Sequence, residues 1–171
     1  MKRTAAATLA AVLSLPPAAA QLPRGDRELF HQLVQANLAE LESGKLALQK
    51  SRSASVRSFA QRMVDEHTVA LGELQAIAQR KGVALPTDTD LQQKALARTL
   101  AALRDETFDA QYLKRVGVGE HQRSAQLLKR IEGEARDAEM RALAARMLPT
   151  VQHHLQTAQA QAGATRTAGR R

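Results

Sequence analysis

The sequence contains no cysteine and no tryptophan, and its aromatic residues are three phenylalanines and one tyrosine among 171 residues. Without thiols the chain can form no disulfide, and neither thiolate catalysis nor metal binding through cysteine sulfur is available to it. Proteins that bind single-stranded nucleic acids stack the bases on aromatic side chains within a basic groove. With so few aromatic residues we expect no specific nucleic-acid partner, although the net charge is +8.

The sequence also lacks the common catalytic signatures. It has no Gly-x-Ser-x-Gly nucleophile elbow, no Walker phosphate loop and no His-Glu-x-x-His zinc protease motif. Gly117 and Gly119 lack the third glycine and the preceding strand that a dinucleotide-binding loop requires. These absences favour a protein that is not an enzyme, and they leave its biochemical activity unassigned.

The first twenty residues show the three parts of a secretory signal peptide. Lys2 and Arg3 are positive, an apolar stretch follows over residues 5–15, and three alanines precede the expected cleavage point after Ala20. This stretch is shorter than the ~20 residues that span a bilayer, and no later segment is apolar enough to do so. We therefore predict an exported protein of the periplasm or cell envelope, with a leader at 1–20, a folded domain at 21–160 and a disordered basic tail at 161–171.

Apolar residues recur at helical spacing through the rest of the chain, and no strand-like alternation persists. The pattern predicts four long amphipathic helices, over 26–50, 54–81, 105 to about 135, and 136–160. A short additional helix is predicted over 91–103, between the second and third. Long amphipathic helices joined by short turns are typical of a four-helix bundle. We therefore predict an all-α fold of this kind.

Two histidines lie where a helical core is expected to carry apolar side chains. His67 and His154 each follow a valine by three residues, and each falls on the apolar face of its helix at 100° per residue. Glu40 in the first helix, and Asp109 and Glu120 in the third, are also predicted to point inward. Buried carboxylates are costly unless they are paired or bind a cation, so this arrangement predicts a polar site in the core.

A metal site is one interpretation of these residues. With His121 at the edge of the apolar face as a weaker candidate, the predicted ligands are Glu40, His67, Asp109, Glu120, His121 and His154. The ion expected is divalent iron, manganese or zinc. Di-iron and di-manganese bundles carry Glu-x-x-His on two helices, but here Val64 and Val151 replace the two glutamates. The pattern therefore favours a single ion over a dinuclear oxidase.

A second interpretation makes the histidines structural. In that case His67 and His154 are hydrogen-bonded to Glu40, to Asp109 or to a backbone carbonyl, and they fix the register of the bundle. The sequence leaves both interpretations open.

Three functions are compatible with the sequence. The favoured one is a non-enzymatic exported bundle with a structural or stress-protective role that binds one divalent metal. The second is a metal-dependent oxidoreductase of the ferritin-like type. The third is a module whose basic surface and tail make loose contact with anionic lipid or polysaccharide of the envelope.

Several stretches, taken in order, resemble one known family. They are residues 40–47, residues 59–67, residues 108–112 with 120–121, and residues 148–149 with 154–155 and 158. They are similar to the exported bacterial domain-of-unknown-function 4142 family, over roughly residues 28–158. The resemblance implies a ferritin-like four-helix bundle, bacterial export and no established activity. It also implies signature positions at Glu40, His67, Asp109, Tyr112, His121 and His154.

Overall fold

The computed structural model describes the backbone of residues 21–168 and the side chains of residues 21–164, and within this range the chain is helical without a β-strand. The helices are α1 (Arg24–Lys50), α2 (Ala54–Lys81), α3 (Leu91–Ala102), α4 (Asp105–Tyr112), α5 (His121–Glu134) and α6 (Ala138–Ala168). A π-helical segment, Leu113–Glu120, joins α4 to α5 without a break. We call it the π segment, and α4, the π segment and α5 together form the third rod.

The prediction of an all-α fold is confirmed. The four long elements are α1, α2, the third rod and α6. α1 packs along α2, and α6 packs along α5 and the π segment. The short α3 contacts α4 and α1, and it lies between α2 and the third rod in the chain, where the additional short helix is predicted.

Local capping signals fix the ends of the helices. α2 ends at Lys81 and is followed by Gly82, whose left-handed backbone (φ 63°) suits a residue without a Cβ. α3 begins after Asp90, whose carboxylate accepts the backbone N–H of Gln93 while the Gln93 side chain accepts the backbone N–H of Asp90. At the start of α6, the Asp137 carboxylate accepts the backbone N–H of Met140. The connections at 51–53, 103–104 and 135–137 are two or three residues long, whereas the one between α2 and α3 spans residues 82–90.

The last helix is longer than the sequence predicts. α6 continues to Ala168 rather than ending near Ala160. Its packing explains the difference, because Ala158 is fully buried and Ala162, one turn later, still packs against the core. Residues 161–168, predicted as part of a disordered tail, therefore lie in this helix. Residues 169–171 and the predicted leader, residues 1–20, lie outside the described residues.

The core consists of two apolar clusters with a polar layer between them. One cluster includes Leu33 and Val34 of α1 and extends to Val151 of α6, and the other includes Ala47 of α1 and Ala158 of α6. On each of the four long elements, buried polar side chains separate the two clusters. This polar layer consists of Asn37, Glu40, His67, His121, Ser124 and His154.

Two glycines allow helices to approach closely beside this layer. A Cβ on Gly44 of α1 would lie 3.1 Å from Cγ2 of Val64 and 3.2 Å from the carbonyl oxygen of Ala60, both on α2. A Cβ on Gly117 of the π segment would lie 2.7 Å from Cβ of Ala158 on α6. The absence of a side chain at these two positions therefore brings the helices together on one side of the polar layer, at the apolar cluster that includes Ala47 and Ala158.

Among residues 21–168, no helix combines the length and the hydropathy needed to cross a bilayer.

Candidate metal centre

Three histidines meet in the polar layer, one each from α2, α5 and α6. His67, His121 and His154 are 4%, 0% and 1% exposed. Each can offer one ring nitrogen such that the three nitrogens lie within 4.8 Å of one another. Their ring centroids are 5.2 to 6.0 Å apart. Two nitrogens bound to one zinc ion at about 2.0–2.1 Å are at most ~4.2 Å apart, so the three rings lie close to the spacing of a single-ion site.

A hydrogen-bond acceptor orients each imidazole ring. Nδ1 of His67 lies 2.9 Å from Oδ1 of Asn37, and the Asn37 amide nitrogen donates in turn to the carbonyl oxygen of Leu33 at 2.8 Å. Nδ1 of His121 lies 3.1 Å from the carbonyl oxygen of Val116. A carbonyl oxygen only accepts, so in both rings Nδ1 carries the proton and Nε2 carries the lone pair.

The third ring has the opposite tautomer. Nε2 of His154 lies 2.8 Å from a carboxylate oxygen of Glu66, so Nε2 donates and Nδ1 carries the lone pair. The Glu66 side chain is 42% exposed. The buried ring is therefore held by a carboxylate that also reaches solvent.

The second nitrogen of each ring has no hydrogen-bond partner among the described residues. These atoms are Nε2 of His67, Nε2 of His121 and Nδ1 of His154, and all three are buried. A buried acceptor left without a partner costs about 1–3 kcal/mol. Metal-binding histidines characteristically hydrogen-bond through one nitrogen and bind the ion through the other. Each of the three rings has the hydrogen bond through one nitrogen that such a histidine makes, with the other nitrogen unpartnered among the described residues.

Glu40 supplies a carboxylate beside the histidines. It is 2% exposed, and one of its oxygens accepts the hydroxyl of Ser124 at 3.0 Å. The other oxygen lies 3.3 Å from Nε2 of His67, without hydrogen-bond geometry. Nδ1 of His121 is 3.8 Å from the first oxygen. Glu40 therefore adds an anionic donor from α1 to the three histidines.

The protein environment keeps two of the imidazoles neutral. Burial lowers the pKa of His67, more than the Glu40 charge raises it. Burial and the neighbouring His121 lower the pKa of His154 to about 4. Burial raises the pKa of Glu40, whereas His121 and His67 in their protonated forms and the Ser124 hydroxyl lower it, and the net pKa lies below its ordinary value. At neutral pH His67 and His154 are therefore in the neutral form that binds cations.

The π segment determines which residue of the third rod faces this cluster. A π-helix closes its hydrogen bonds over five residues instead of four, so downstream side chains are displaced around the axis from their α-helical positions. His121 turns inward, and its ring reaches the carbonyl oxygen of Val116, five residues earlier. Glu120 is bound by Arg123, and its side chain is 13% exposed. Uniform α-helical spacing places Glu120 inward and His121 at the edge, whereas in the structure His121 is the residue that joins the other two histidines.

The structure does not bring Asp109 to the histidines. Asp109 is 8% exposed and precedes His121 by twelve residues, about three helical turns, along the third rod. It neighbours Phe108, which belongs to the apolar cluster that includes Ala47 and Ala158. One of its oxygens is buried without a partner among the described residues, as is the Tyr112 hydroxyl. Burial, followed by the charge of Glu40, raises the pKa of Tyr112.

Three supporting residues have no place in the metal site predicted from the sequence. They are Asn37, Glu66 and Ser124. Asn37 is buried in α1, but no sequence pattern pairs it with His67, thirty residues away. Glu66 follows an exposed position of α2, and its role depends on how α6 packs beside α2. Such partners are set by the tertiary fold, so spacing within one helix does not reveal them.

A family model described as "Domain of unknown function (DUF4142)" matches residues 12–161. The chain belongs to this family. The match includes the whole polar layer of this DUF4142 chain, and it confirms the resemblance found in the sequence. The family's description assigns no activity. Among curated proteins, none matches the chain.

Solved structures with the same fold include proteins of two kinds. A DUF305 fragment from Deinococcus radiodurans superimposes with a TM-score of 0.74, at 18% identity, covering 84% of the DUF4142 chain and 98% of its own. CopM in its Cu(II)-bound form superimposes with a TM-score of 0.68, at 12% identity, covering 81% and 95%. CopM in a silver-bound form gives 0.65 at 14% identity, covering 80% and 93%. At these identities the likeness establishes the helical fold alone.

Proposed function

We propose that this protein binds one divalent transition-metal ion in its core. The donors are Nε2 of His67, Nε2 of His121, Nδ1 of His154 and a carboxylate oxygen of Glu40. The observation that carries the proposal is that three convergent, buried imidazoles each have one nitrogen held by a hydrogen bond and the other without a partner.

This pattern favours a metal site over purely structural histidines. If the rings served only to fix the register, hydrogen bonds to protein groups at both nitrogens would avoid the cost of three buried lone pairs. Instead, the hydrogen bonds that the rings donate to Asn37, Val116 and Glu66 fix each ring and leave a lone pair available. One ion would satisfy all three lone pairs at once. It would also place a cation beside the buried carboxylate of Glu40.

The donor set restricts the class of metal. Three imidazoles and one carboxylate suit zinc, copper, iron or nickel, whereas manganese prefers a larger share of oxygen donors. Copper(II) is expected to bind most tightly, because it heads the order of affinities for such sites. CopM, which shares the fold, is described in Cu(II)-, Cu(I)- and silver-bound forms. We therefore propose copper or zinc ahead of the iron and manganese expected from the sequence.

The proposed role is to bind and hold the ion rather than to transform a substrate. Glu40 is the buried carboxylate among the histidines, so the described residues supply donors for a single ion. Val64 and Val151 stand where a dinuclear oxidase carries its two further glutamates. Together with the predicted leader, this supports a metal-binding protein of the periplasm or cell envelope.

Metal stoichiometry tests the proposal. Purified protein without an affinity tag, stripped of metal and then titrated calorimetrically with Cu²⁺ and with Zn²⁺, should bind one equivalent. The His154→Gln variant should lose at least 90% of that binding. The matched control is His153→Gln, which removes the adjacent exposed histidine and should bind like the wild type. Equal binding by the two variants, or no binding by the wild type, would contradict the proposal.

A further inference from the structure

A groove between α2 and α6 connects the candidate metal centre to solvent. Its volume is about 460 Å³, and two of the histidines, His67 and His154, form part of its lining. Val69, at its rim, is 65% exposed, whereas His67 and His154 are at most 4% exposed. Both histidines carry a buried nitrogen without a hydrogen-bond partner. The groove therefore leads from the surface to two of the rings that carry the proposed ligand nitrogens.

The charges of this groove favour a cation. Its lining includes the carboxylates of Asp65, Glu66 and Glu73, and one basic side chain, Arg146. Arg146 lies 3.7 Å from Glu73, and both side chains are more than half exposed, so the pair is weak. A groove with this excess of negative charge is notable in a chain whose net charge is +8. Clefts lined by one sign of charge raise the local concentration of the opposite ion and its rate of entry.

Glu66 joins the mouth of the groove to the site. Its carboxylate is 42% exposed, and one oxygen accepts Nε2–H of the buried His154 at 2.8 Å. An ion that enters along α2 therefore meets this carboxylate next to the ring whose other nitrogen is the proposed ligand. Glu66 is in this sense a positioning residue, since it fixes the His154 tautomer and also lies on the route.

The opposite side of the bundle offers a weaker alternative. A cavity of about 270 Å³ reaches Ser124, whose hydroxyl donates to Glu40, but it is lined by two acidic residues, Asp90 and Glu120, and two basic residues, Arg123 and Arg130. Glu120 is moreover bound by Arg123. Its charges balance, so they provide no net attraction for a cation.

From these observations we propose that the α2–α6 groove is the route by which the metal ion enters and leaves the core, with Glu66 as its guiding carboxylate. This inference rests on the proposed metal site and adds the path to it. Kinetic measurements distinguish an entry route from the ligands themselves. Obstructing a route slows entry and exit of the ion by the same factor and leaves the affinity unchanged.

Two alanine variants test the route with Co²⁺ as the probe, since its visible absorption reports ligation. Ala70 lines the α2–α6 groove and Ala36 lines the opposite cavity, and both are half-buried helical residues. In stopped-flow measurements, Ala70→Phe should slow association and dissociation at least tenfold by a common factor, with the dissociation constant within twofold of the wild type. Ala36→Phe should leave both rates unchanged. Thermal melts of the metal-free variants verify that both remain folded.

A charge variant tests the part played by Glu66. Glu66→Gln keeps an oxygen that can accept the His154 N–H but removes the charge, and it should reduce the association rate several-fold at low ionic strength. This difference should shrink in high salt, where the attraction is screened. The control is Glu132→Gln, which makes the same change of net charge on the exposed surface of α5 and should bind at the wild-type rate.

The outcomes separate the two proposals. If the wild type does not bind Co²⁺, Cu²⁺ or Zn²⁺, the metal site itself is wrong and the route with it. If the wild type binds one equivalent but Ala70→Phe keeps wild-type rates, or Ala36→Phe is the variant that slows, the site stands and the route is wrong.

Discussion

At the scale of single residues, the candidate site depends on side chains that do not themselves face the ion. Asn37 is one of these, because its Oδ1 holds the proton of His67 on Nδ1 and leaves the lone pair on Nε2. The orientation of Asn37 is itself set by the bond from its amide nitrogen to the carbonyl oxygen of Leu33. The tautomer of His67 is therefore fixed by Asn37 and, through Asn37, by the backbone carbonyl of Leu33, both in α1.

We predict that Asn37→Leu weakens metal binding by roughly 10- to 100-fold, the usual effect of losing such a partner. Leucine has a similar size but offers no acceptor, so the His67 proton is free to move to Nε2 and block the lone pair. Titration with Zn²⁺ against a competing chelator measures the change. Asn37→Asp restores an acceptor and should bind at least as tightly as the wild type. Equal weakening in both variants would show that Asn37 acts through packing instead.

At the scale of elements, the π segment is the feature that places a third histidine in the core. It widens the third rod beside α6, where Gly117 faces Ala158 without room for a side chain. His121 follows directly after it and bonds back to Val116. The close approach of the rod to α6 and the inward position of His121 therefore belong to one local arrangement.

We predict that Gly117→Ala destabilises the protein by about 1–3 kcal/mol, because its Cβ would overlap the rigid Cβ of Ala158 and overpacking of this size has such a cost. Chemical denaturation of the metal-free protein measures it. Gly133→Ala is the control, since nothing lies within 4 Å of the added Cβ, and it should stabilise the protein by about 0.5–1 kcal/mol. Adding Ala158→Gly to Gly117→Ala should recover most of the loss. Without such recovery, the clash would not be the cause.

The same elements show what the sequence can and cannot predict. Helical periodicity suffices for the fold and for the inward positions of Glu40, His67 and His154, because each lies in a regular α-helix. It places Glu120, rather than His121, toward the other predicted ligands, because the phase changes within the π segment. It includes Asp109 in the metal site, because rotation about one helix axis says nothing of distance along it. Glu66 contacts His154 and Ser124 contacts Glu40, each on another helix, so residue spacing within one helix cannot predict these contacts.

At the scale of the whole molecule, the proposed ion would tie the four long elements together. Glu40 lies on α1, His67 on α2, His121 on α5 and His154 on α6, so each element contributes one donor between the two apolar clusters. The chain has no cysteine, and therefore no disulfide cross-links these elements. A bound ion would provide the cross-link at the level of the core where apolar packing is interrupted.

We therefore predict that metal raises the melting temperature of the whole bundle in a single transition. An ion that binds the folded state alone stabilises it by about 2.7 kcal/mol when its free concentration is 100 times the dissociation constant, which corresponds to roughly 5–10 °C for a domain of this size. Calorimetric melts in metal-buffered and chelator-containing solutions measure the shift. It should disappear in His154→Gln and persist in His153→Gln. One equivalent of tightly bound metal without any such shift would mean that the ion binds the unfolded chain equally well, and hence that the folded core is not its site.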